Sequence, residues 1–213
     1  MDFLPEKLSE YAERFTQDES DLLAELNRDT YANVLIPRML SGHMQGRILA
    51  FLSKLQRPKV IVEVGTYTGY SALCMAEGLP DGGELHTIDI NEELEDRVRS
   101  YFERSGFGNA LHLHMGNALD IIPELPTPDM VFIDADKENY LNYYKLLIER
   151  LKSGALIIAD NVLWSGKVLD ENERMNDEET RALHEFNTFV KEDERVESLL
   201  LPVRDGLMVL RVL

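Results

Sequence analysis

Two short motifs in the second half of the chain contain residue types that could bind a metal. Asp134 follows the apolar run 130–133, and Asp160-Asn161 follows the apolar run 155–159. Two carboxylates and an amide, with positions left for water and substrate oxygens, suit an octahedral Mg²⁺ ion. Zinc is less favoured because no cysteine or histidine accompanies these residues. Alone, Asp160-Asn161 could equally begin a turn.

A lysine stands close to the first of these motifs. Lys137 follows Asp134 by three residues, within reach of a molecule bound to the predicted metal. A lysine beside a cation and partly removed from water can lose its proton readily enough to act as a base. We therefore predict Lys137 as the catalytic base. Without the metal, a lysine at the start of a helix is usually solvated.

A third candidate feature is the glycine-containing turn in the run Glu63–Ser71. Gly65 and Gly69 would let the backbone approach a ligand and begin the next helix tightly. Such a turn is a weak indication by itself. However, Asp89 ends the next apolar run, where an acidic side chain can accept hydrogen bonds from both ribose hydroxyls. An ordinary cap before the helix that begins at Asn91 is the alternative for Asp89.

The details of this turn favour S-adenosylmethionine over a nicotinamide dinucleotide. The phosphate-binding pattern G-x-G-x-x-G needs glycine where Tyr67 stands. Glu63 places a negative charge before the turn, which suits an ammonium or sulfonium group better than phosphates. A nucleotide-binding oxidoreductase and a non-catalytic binding protein are the two alternative functions.

Only a parallel α/β sheet would bring these separate residues together. From about residue 58, short apolar runs alternate with amphipathic segments, as in strands joined by helices. Ligands of open α/β sheets bind at the carboxyl ends of the strands. We predict strands at 60–64, 84–90, 110–115, 130–133, 155–159, 196–202 and 206–212, and helices at 70–78, 91–106, 119–125, 138–151 and 180–191.

The two ends of the chain and one acidic stretch complete this prediction. The turn Arg204-Asp205-Gly206 indicates a closing antiparallel hairpin, and the acidic stretch 170–179 is predicted as a surface loop. Residues 1–57 have a helical pattern without strands and are predicted to cap the sheet. We therefore expect a single domain over 1–213, with its α/β core at 58–213.

The composition disfavours several classes of partner. Lysine and arginine number 22 against 39 aspartates and glutamates, so the net charge is −17, which repels nucleic acids and anionic membranes. Because no basic region followed by an apolar stretch is visible near residue 1, we expect no signal peptide, and no apolar run approaches the length of about 20 residues that could span a bilayer. Its single cysteine, Cys74, cannot form an intrachain disulfide. We expect a cytoplasmic protein.

Four motifs resemble one known family, the cation-dependent O-methyltransferases that include caffeoyl-CoA and catechol O-methyltransferases. The similarity runs from about Arg38 to the C-terminus, and DADKxNY followed by DNxLWxG is highly specific to that family. The motifs are EVGTYTGYSAL at 63–73, HTIDIN at 86–91, VFIDADKENYLNYY at 131–144 and IIADNVLWSGKV at 157–168.

The resemblance implies a Rossmann-like class I methyltransferase fold with helices on both faces of the sheet, and it implies roles for individual residues. A methyl group would pass from S-adenosylmethionine to one hydroxyl of a vicinal diphenol chelated to a divalent metal, most simply Mg²⁺. The metal would be held by Asp134, Asp160 and Asn161, and Lys137 would be the base. The methyl donor would be lined by Glu63, Gly65, Thr66, Tyr67, Gly69, Ser71, Asp89, Ala118 and Asp134.

The acceptor and the assembly are less defined by the resemblance. In the segment that begins at Pro37, the family more often has a serine-proline pair where Gly42-His43 stand, so the identity of the phenolic acceptor is left open. Arg38, His43 and Trp164 are candidates for contact with it. A cap or core role is the alternative for His43, and a core role for Trp164. The family also implies a homodimer.

Overall fold

A seven-stranded sheet forms the centre of the structure, a computed structural model that describes residues 5–213. The strands are β1 (Val60–Val64), β2 (Glu84–Asp89), β3 (Leu111–Met115), β4 (Met130–Ile133), β5 (Leu156–Ala159), β6 (Val196–Leu201) and β7 (Leu207–Val212).

The order of these strands across the sheet is β3-β2-β1-β4-β5-β7-β6. Strands β1 to β5 are parallel to one another, whereas β7 runs antiparallel to both β5 and β6. The chain therefore starts at the middle of the sheet, proceeds to one edge, returns, and continues to the other edge. This topology confirms the predicted mostly parallel sheet with a C-terminal antiparallel hairpin.

Helices cover both faces of the sheet. Short 3₁₀ turns begin or extend several of them, as at 92–94 and 137–139. The α-helices are α1 (Glu6–Arg14), α2 (Asp21–Asn33), α3 (Gly42–Gln56), α4 (Tyr70–Ala76), α5 (Glu95–Arg104), α6 (Ala118–Ile121), α7 (Tyr140–Ile148), α8 (Glu171–Asn176) and α9 (Glu178–Glu192). Among the described helices, none is both long and apolar enough to cross a membrane.

The central strands are apolar on both sides because both faces of the sheet are covered. Val62 and Val64 of β1 belong to one buried cluster, and Ile61, just before them, belongs to the cluster on the opposite face. Leu26 of α2 and Leu49 of α3 are fully buried in the same cluster as Ile61. This packing supports the predicted single domain with an N-terminal helical cap, which stays a prediction.

The acidic stretch 170–179 is helical, so the prediction of a surface loop there was wrong. Asp170 caps α8, since its carboxylate accepts hydrogen bonds from the backbone N–H groups of Asn172 and Glu173. Lys167 forms a salt bridge of 3.0 Å with Asp177, the residue between α8 and α9. The stretch has few apolar residues, so its helix depends on caps and charges rather than on a buried face, and hydrophobic periodicity does not reveal it.

The turn after β1 lies directly against the end of β4. Gly65 has a φ of +100°, and a Cβ atom on it would lie 2.0 Å from the carbonyl oxygen of Asp134. Backbone cannot move aside here without breaking the sheet, because the amide of Asp134 also donates to the carbonyl of Val64 at 2.8 Å. Glycine at 65 is therefore required for the two strand ends to meet.

We expect Gly65→Ala to lower the free energy of unfolding by at least about 3 kcal/mol, since it adds a backbone clash to an unfavourable φ. Gly82→Ala is the matched control. Gly82 also has a positive φ, of +75°, but no atom lies within 4 Å of its Cβ position, so about 1–2 kcal/mol is expected. Urea denaturation of both variants measures the difference, and equal losses would contradict the close approach.

Candidate active site

The carboxyl ends of four neighbouring parallel strands, β2, β1, β4 and β5, lie side by side, as the sequence predicts. Asp89 ends β2, and Gly65, Asp134 and Asp160 each come directly after one of the other three strands. Hydrogen bonds of the backbone align these ends, from Gly65 N to Ile88 O (2.9 Å), from Asp134 N to Val64 O (2.8 Å) and from Asp160 N to Ile133 O (3.0 Å).

Lys137 occupies the middle of this region and is only 7% exposed. Its ammonium donates to Asp134 Oδ1 at 3.0 Å, to Asn161 Oδ1 at 2.7 Å and to the Tyr140 hydroxyl at 2.7 Å. These three bonds use all of its N–H donors. The ammonium also lies 5.7 Å from the ring centroid of Trp164. The predicted base and two of the predicted metal ligands therefore meet around one positive charge.

Asp160, the third predicted metal ligand, is buried next to this group. Its Oδ2 accepts a hydrogen bond from Gln45 Nε2 at 2.6 Å, and its Oδ1 accepts one from the backbone N–H of Asn161 at 2.7 Å. Burial, and after it the negative charge of Asp134, raises the pKa of Asp160 to about 7. The carboxylate form of Asp160 therefore needs additional positive charge beyond what Lys137 supplies.

Two residues of this site were missed by the sequence analysis. Gln45 comes from α3, 115 positions before its partner Asp160, and no local pattern marks it. Its Oε1 is buried without a hydrogen-bond partner among the described residues. Tyr140 stands inside the DADKENY motif, three residues after Lys137, and this spacing within the motif could have identified it.

Glu63 is fully buried beneath the glycine-containing turn. Its two carboxylate oxygens accept hydrogen bonds from Ser71 Oγ at 2.6 Å and from Thr87 Oγ1 at 2.5 Å. Burial nevertheless raises the pKa of Glu63 to about 8. Near neutral pH the carboxyl of Glu63 therefore holds a proton. It carries the negative charge expected from the sequence only when a cation takes the place of that proton.

Asp89 holds the backbone of the same turn. Its Oδ2 accepts hydrogen bonds from the N–H groups of Thr66 (3.0 Å) and Tyr67 (2.7 Å), and its Oδ1 accepts one from Asn91 N–H (2.9 Å). Asn91 is itself the cap of the turn 92–94, since its side chain accepts from the N–H of Glu93, so Asp89 does not cap that turn directly. The role in binding a ribose stays a prediction.

The other predicted donor-site residues shape or close the turn. Gly69 has a φ of +86°, and a Cβ atom there would lie 2.8 Å from the ring of Phe102. The hydroxyl of Tyr67 donates to the carbonyl of Leu35 at 3.2 Å, so the segment between α2 and α3 lies beside the turn. Ala118 is buried and is the first residue of α6, after β3.

The three candidates for contact with the acceptor have different surroundings. Arg38 is exposed in the 3₁₀ turn Pro37–Met39. His43 Nε2 is hydrogen-bonded at 2.8 Å to the carbonyl oxygen of Gln17, which ties α3 to the loop between α1 and α2. Trp164 lies beside Lys137, and its buried indole N–H has no partner within the described chain. The structure thus brings Trp164 to the predicted base.

The strand order and the row of polar strand ends define a class I methyltransferase fold. A solved structure of the SAH-bound methyltransferase PaMTH1 from Podospora anserina has a TM-score of 0.89 and 28% identity, covering 100% of this chain and 99% of that chain. The structure of the O-methyltransferase from Bacillus cereus in complex with SAH has a TM-score of 0.88 and 28% identity, covering 97% of each chain.

The sequence comparisons specify the family. The model of a family described as O-methyltransferase matches residues 13–213. The caffeoyl-CoA O-methyltransferase of Petroselinum crispum is 37% identical over 184 residues, which are 81% of this chain and 76% of that protein. Caffeoyl-CoA O-methyltransferase 2 of Eucalyptus globulus is also 37% identical, over 81% of this chain and 74% of its own. The chain belongs to the O-methyltransferase family, as its motifs predicted, which favours methyl transfer over the oxidoreductase alternative.

The raised pKa of Glu63 leads to a prediction on stability. Between its ordinary value of 4.5 and about 8, the folded protein holds a proton that the unfolded chain releases, so unfolding becomes easier as pH rises. Between about pH 5 and about pH 8, the free energy of unfolding of the wild type should therefore fall by roughly 2–4 kcal/mol because of Glu63. Glu63→Gln cannot ionise at this position, so we expect it to lack this part of the fall.

Urea denaturation without a methyl donor at the two pH values measures this effect. Glu192→Gln, at the exposed end of α9, is the control and should decline like the wild type. If Glu63→Gln declines as steeply as the wild type, the buried carboxyl is not protonated in the folded state and the interpretation is wrong.

Proposed function

We propose that this protein transfers a methyl group from S-adenosylmethionine to one hydroxyl of a catechol-like acceptor held by a divalent metal. The observation that carries the proposal is the buried ammonium of Lys137 bonded to the oxygens of Asp134 and Asn161, next to buried Asp160. Membership of the O-methyltransferase family supports the reaction class. The neighbours solved with SAH support the donor, and the caffeoyl-CoA relatives support a phenolic acceptor.

The methyl donor would bind over the glycine-containing turn. Asp89 accepts three backbone hydrogen bonds, and a carboxylate offers about four lone pairs. It therefore has capacity for a ribose hydroxyl without releasing the turn. The ammonium or sulfonium charge of the donor would compensate Glu63, which would then release its proton. Ser71, Gly65 and the start of α6 at Ala118 would line the same pocket.

The residues around Lys137 fit a divalent metal. Asp134, Asp160 and Asn161 supply oxygen ligands only, which are the ligands that Mg²⁺ prefers. The carboxylates already surround one positive charge, and the raised pKa of Asp160 indicates a deficit of positive charge in the folded protein. The unpartnered Oε1 of Gln45 beside Asp160 is a further acceptor, suited to a water molecule. A bound metal would supply Lewis acidity that promotes loss of the acceptor's hydroxyl proton.

Lys137 would take that proton. Its ammonium is now neutralised by Asp134 and held by Asn161. If Asp134 and Asn161 held a metal, Lys137 would lie next to its positive charge, and a lysine beside a cation can serve as a base. Tyr140 would keep the amine in position through its hydroxyl, which lies 2.7 Å from Nζ.

The remaining contribution of the protein is position and exclusion of water. The acceptor oxygen must approach the methyl carbon opposite the sulfur, and holding three atoms in line accounts for much of such a rate enhancement. The segment between α2 and α3 lies beside the donor turn through the Tyr67–Leu35 hydrogen bond. Trp164 would form one wall for the acceptor ring next to Lys137. Exclusion of water favours a step in which the charges of the phenolate and the sulfonium cancel.

The assembly and the cellular location stay predictions. Large apolar side chains of the N-terminal elements are exposed, as at Tyr11, Phe15, Leu35 and Phe51. They offer a surface for the homodimer that the family resemblance implies. The net charge of −17 disfavours nucleic acids and anionic membranes as partners. A cytoplasmic location is consistent with the single buried Cys74.

The first experiment is transfer of labelled methyl from S-adenosylmethionine to caffeate and a panel of diphenols, with Mg²⁺ or with chelator. We expect label in the product only when metal is present. Asp160→Asn should lower turnover by about a hundredfold or more, since a Lewis acid contributes several kcal/mol, while donor affinity measured by calorimetry is largely kept.

The control for Asp160→Asn is Asp136→Asn. Asp136 is an exposed carboxylate of the loop after β4 that accepts from the Tyr143 hydroxyl at 2.5 Å, and the variant should keep its turnover. Full activity in chelator would contradict the metal. Donor binding without transfer to any diphenol would contradict the acceptor class, and no donor binding would contradict the proposal as a whole.

A separate prediction concerns Asp89. Asp89→Asn keeps an oxygen for the N–H groups of Thr66 and Tyr67 but loses part of its capacity for a ribose hydroxyl. We expect donor affinity to fall by about 1–3 kcal/mol, with a smaller change in the free energy of unfolding. Calorimetric titration with S-adenosylhomocysteine measures the affinity. An unchanged affinity would mean that Asp89 only holds the turn.

A further inference from the structure

Three of the five histidines of the chain lie together at one edge of the sheet, outside the candidate active site. His86 of β2 is paired in register with His112 of the edge strand β3. Glu84 precedes His86 by two residues and His114 follows His112 by two, so strand alternation places all four side chains on one face. We refer to Glu84, His86, His112 and His114 as the edge cluster.

Three possible ligand atoms of the edge cluster converge. Glu84 Oε2 lies 3.1 Å from His86 Nε2 and 3.6 Å from His112 Nε2, and all three atoms lie within 4.8 Å of one another. A tetrahedral ion bound at about 2.0–2.1 Å separates its ligand atoms by about 3.4 Å. The spacing in the edge cluster is therefore close to what such an ion requires.

The fourth residue of the edge cluster orients the ligands. His86 Nδ1 is hydrogen-bonded to His114 Nε2 at 3.0 Å. When His86 donates this bond, its Nε2 lone pair faces Glu84 and is free to bind a metal ion together with the carboxylate; in the other tautomer, His86 Nε2–H donates to Glu84 directly. A hydrogen bond from the second ring nitrogen is also what fixes a metal-binding histidine in proteins.

Two histidines of the edge cluster have shifted pKa values. Burial, followed by the charge of neighbouring His112, lowers the pKa of His86. Burial, followed by the charge of His86, lowers the pKa of His114 as well. The neutral imidazole is the form that binds metals, and the case for a metal ion rests on the converging ligand atoms of Glu84, His86 and His112.

We propose that Glu84, His86 and His112 form a second metal site, for Zn²⁺ or a similar transition ion, with His114 as a positioning residue. Imidazole ligands distinguish this site from the oxygen ligands around Lys137, because imidazole suits zinc whereas carboxylates and amides suit magnesium. The side chains of Glu84 and His112 are 47% and 40% exposed, which leaves a coordination position open to water.

The position of the edge cluster indicates a structural role for the ion. β3 is an edge strand, and within residues 5–213 it pairs with β2 alone. An ion shared by Glu84 and His86 of β2 and by His112 of β3 would join the two strands through side chains. These strands lead to Asp89 and to Ala118, both predicted to contact the donor. The ion would therefore stabilise this edge of the sheet without taking part in methyl transfer.

Equilibrium dialysis of the full chain with Zn²⁺, in a large excess of Mg²⁺ to occupy the oxygen site, tests the proposal. We expect one tightly bound Zn²⁺ per chain. His112→Asn and Glu84→Gln should each weaken it by about tenfold or more, and His114→Asn by about tenfold. Both ligands are half-exposed, so the variants should fold, and thermal denaturation without Zn²⁺ checks this. Zn²⁺ should raise the melting temperature of the wild type more than that of His112→Asn.

Two variants separate this proposal from the proposed function. His184→Asn changes a histidine of α9 that contacts Arg174, and it should bind Zn²⁺ like the wild type. Asp160→Asn should also keep Zn²⁺ at the edge cluster although methyl transfer is lost. Absence of Zn²⁺ binding in excess Mg²⁺ would overturn the proposal. Wild-type affinity in both His112→Asn and Glu84→Gln would overturn the proposal equally.

Discussion

The burial of charged groups at the carboxyl ends of the strands is the constraint on which the rest of this structure depends. Lys137, Glu63 and Asp160 are all nearly inaccessible to water, and a buried charge is costly unless it is paired and hydrogen-bonded. Lys137 meets this requirement with three acceptors. Glu63 and Asp160 are hydrogen-bonded but lack a sufficient compensating positive charge, and burial therefore raises the pKa of each. A site with this imbalance is suited to bind cationic ligands, because they supply the charge that the protein lacks.

The parts of the chain outside the parallel strands hold these charges in place. Gln45 of α3 donates to Asp160. The turn before β7 supports the loop that carries Asn161 and Trp164, since the amide of Leu163 donates to the carbonyl of Asp205 at 2.9 Å. The C-terminal hairpin thus holds the loop after β5, and the N-terminal helix α3 holds the buried carboxylate of Asp160. Neither element carries a predicted metal ligand, but both determine where the ligands lie.

The two proposed metal sites differ in their chemistry. Around Lys137 the donors are carboxylate and amide oxygens at the carboxyl ends of the strands. At the edge cluster two imidazoles and one carboxylate converge on the amino-terminal half of β2 and the adjoining β3. Hard and borderline ions prefer different ligands, so the two sites could be occupied at the same time without competition. One would serve the reaction and the other would strengthen a sheet edge.

The sequence by itself determined the strands, their parallel arrangement and the residues at their ends. Apolar runs that finish in Gly65, Asp89, Asp134 and Asp160 are local features, and in a parallel sheet the ends of such runs must share one side. The helical stretch 171–176 escaped prediction because its stability comes from a cap and surface charges rather than from an apolar face. Only the tertiary structure decided which distant groups meet: Gln45 with Asp160, and the histidines of β2 with those of β3. It also decided the charge state of Glu63, since protonation depends on burial, and burial results from how the whole chain packs.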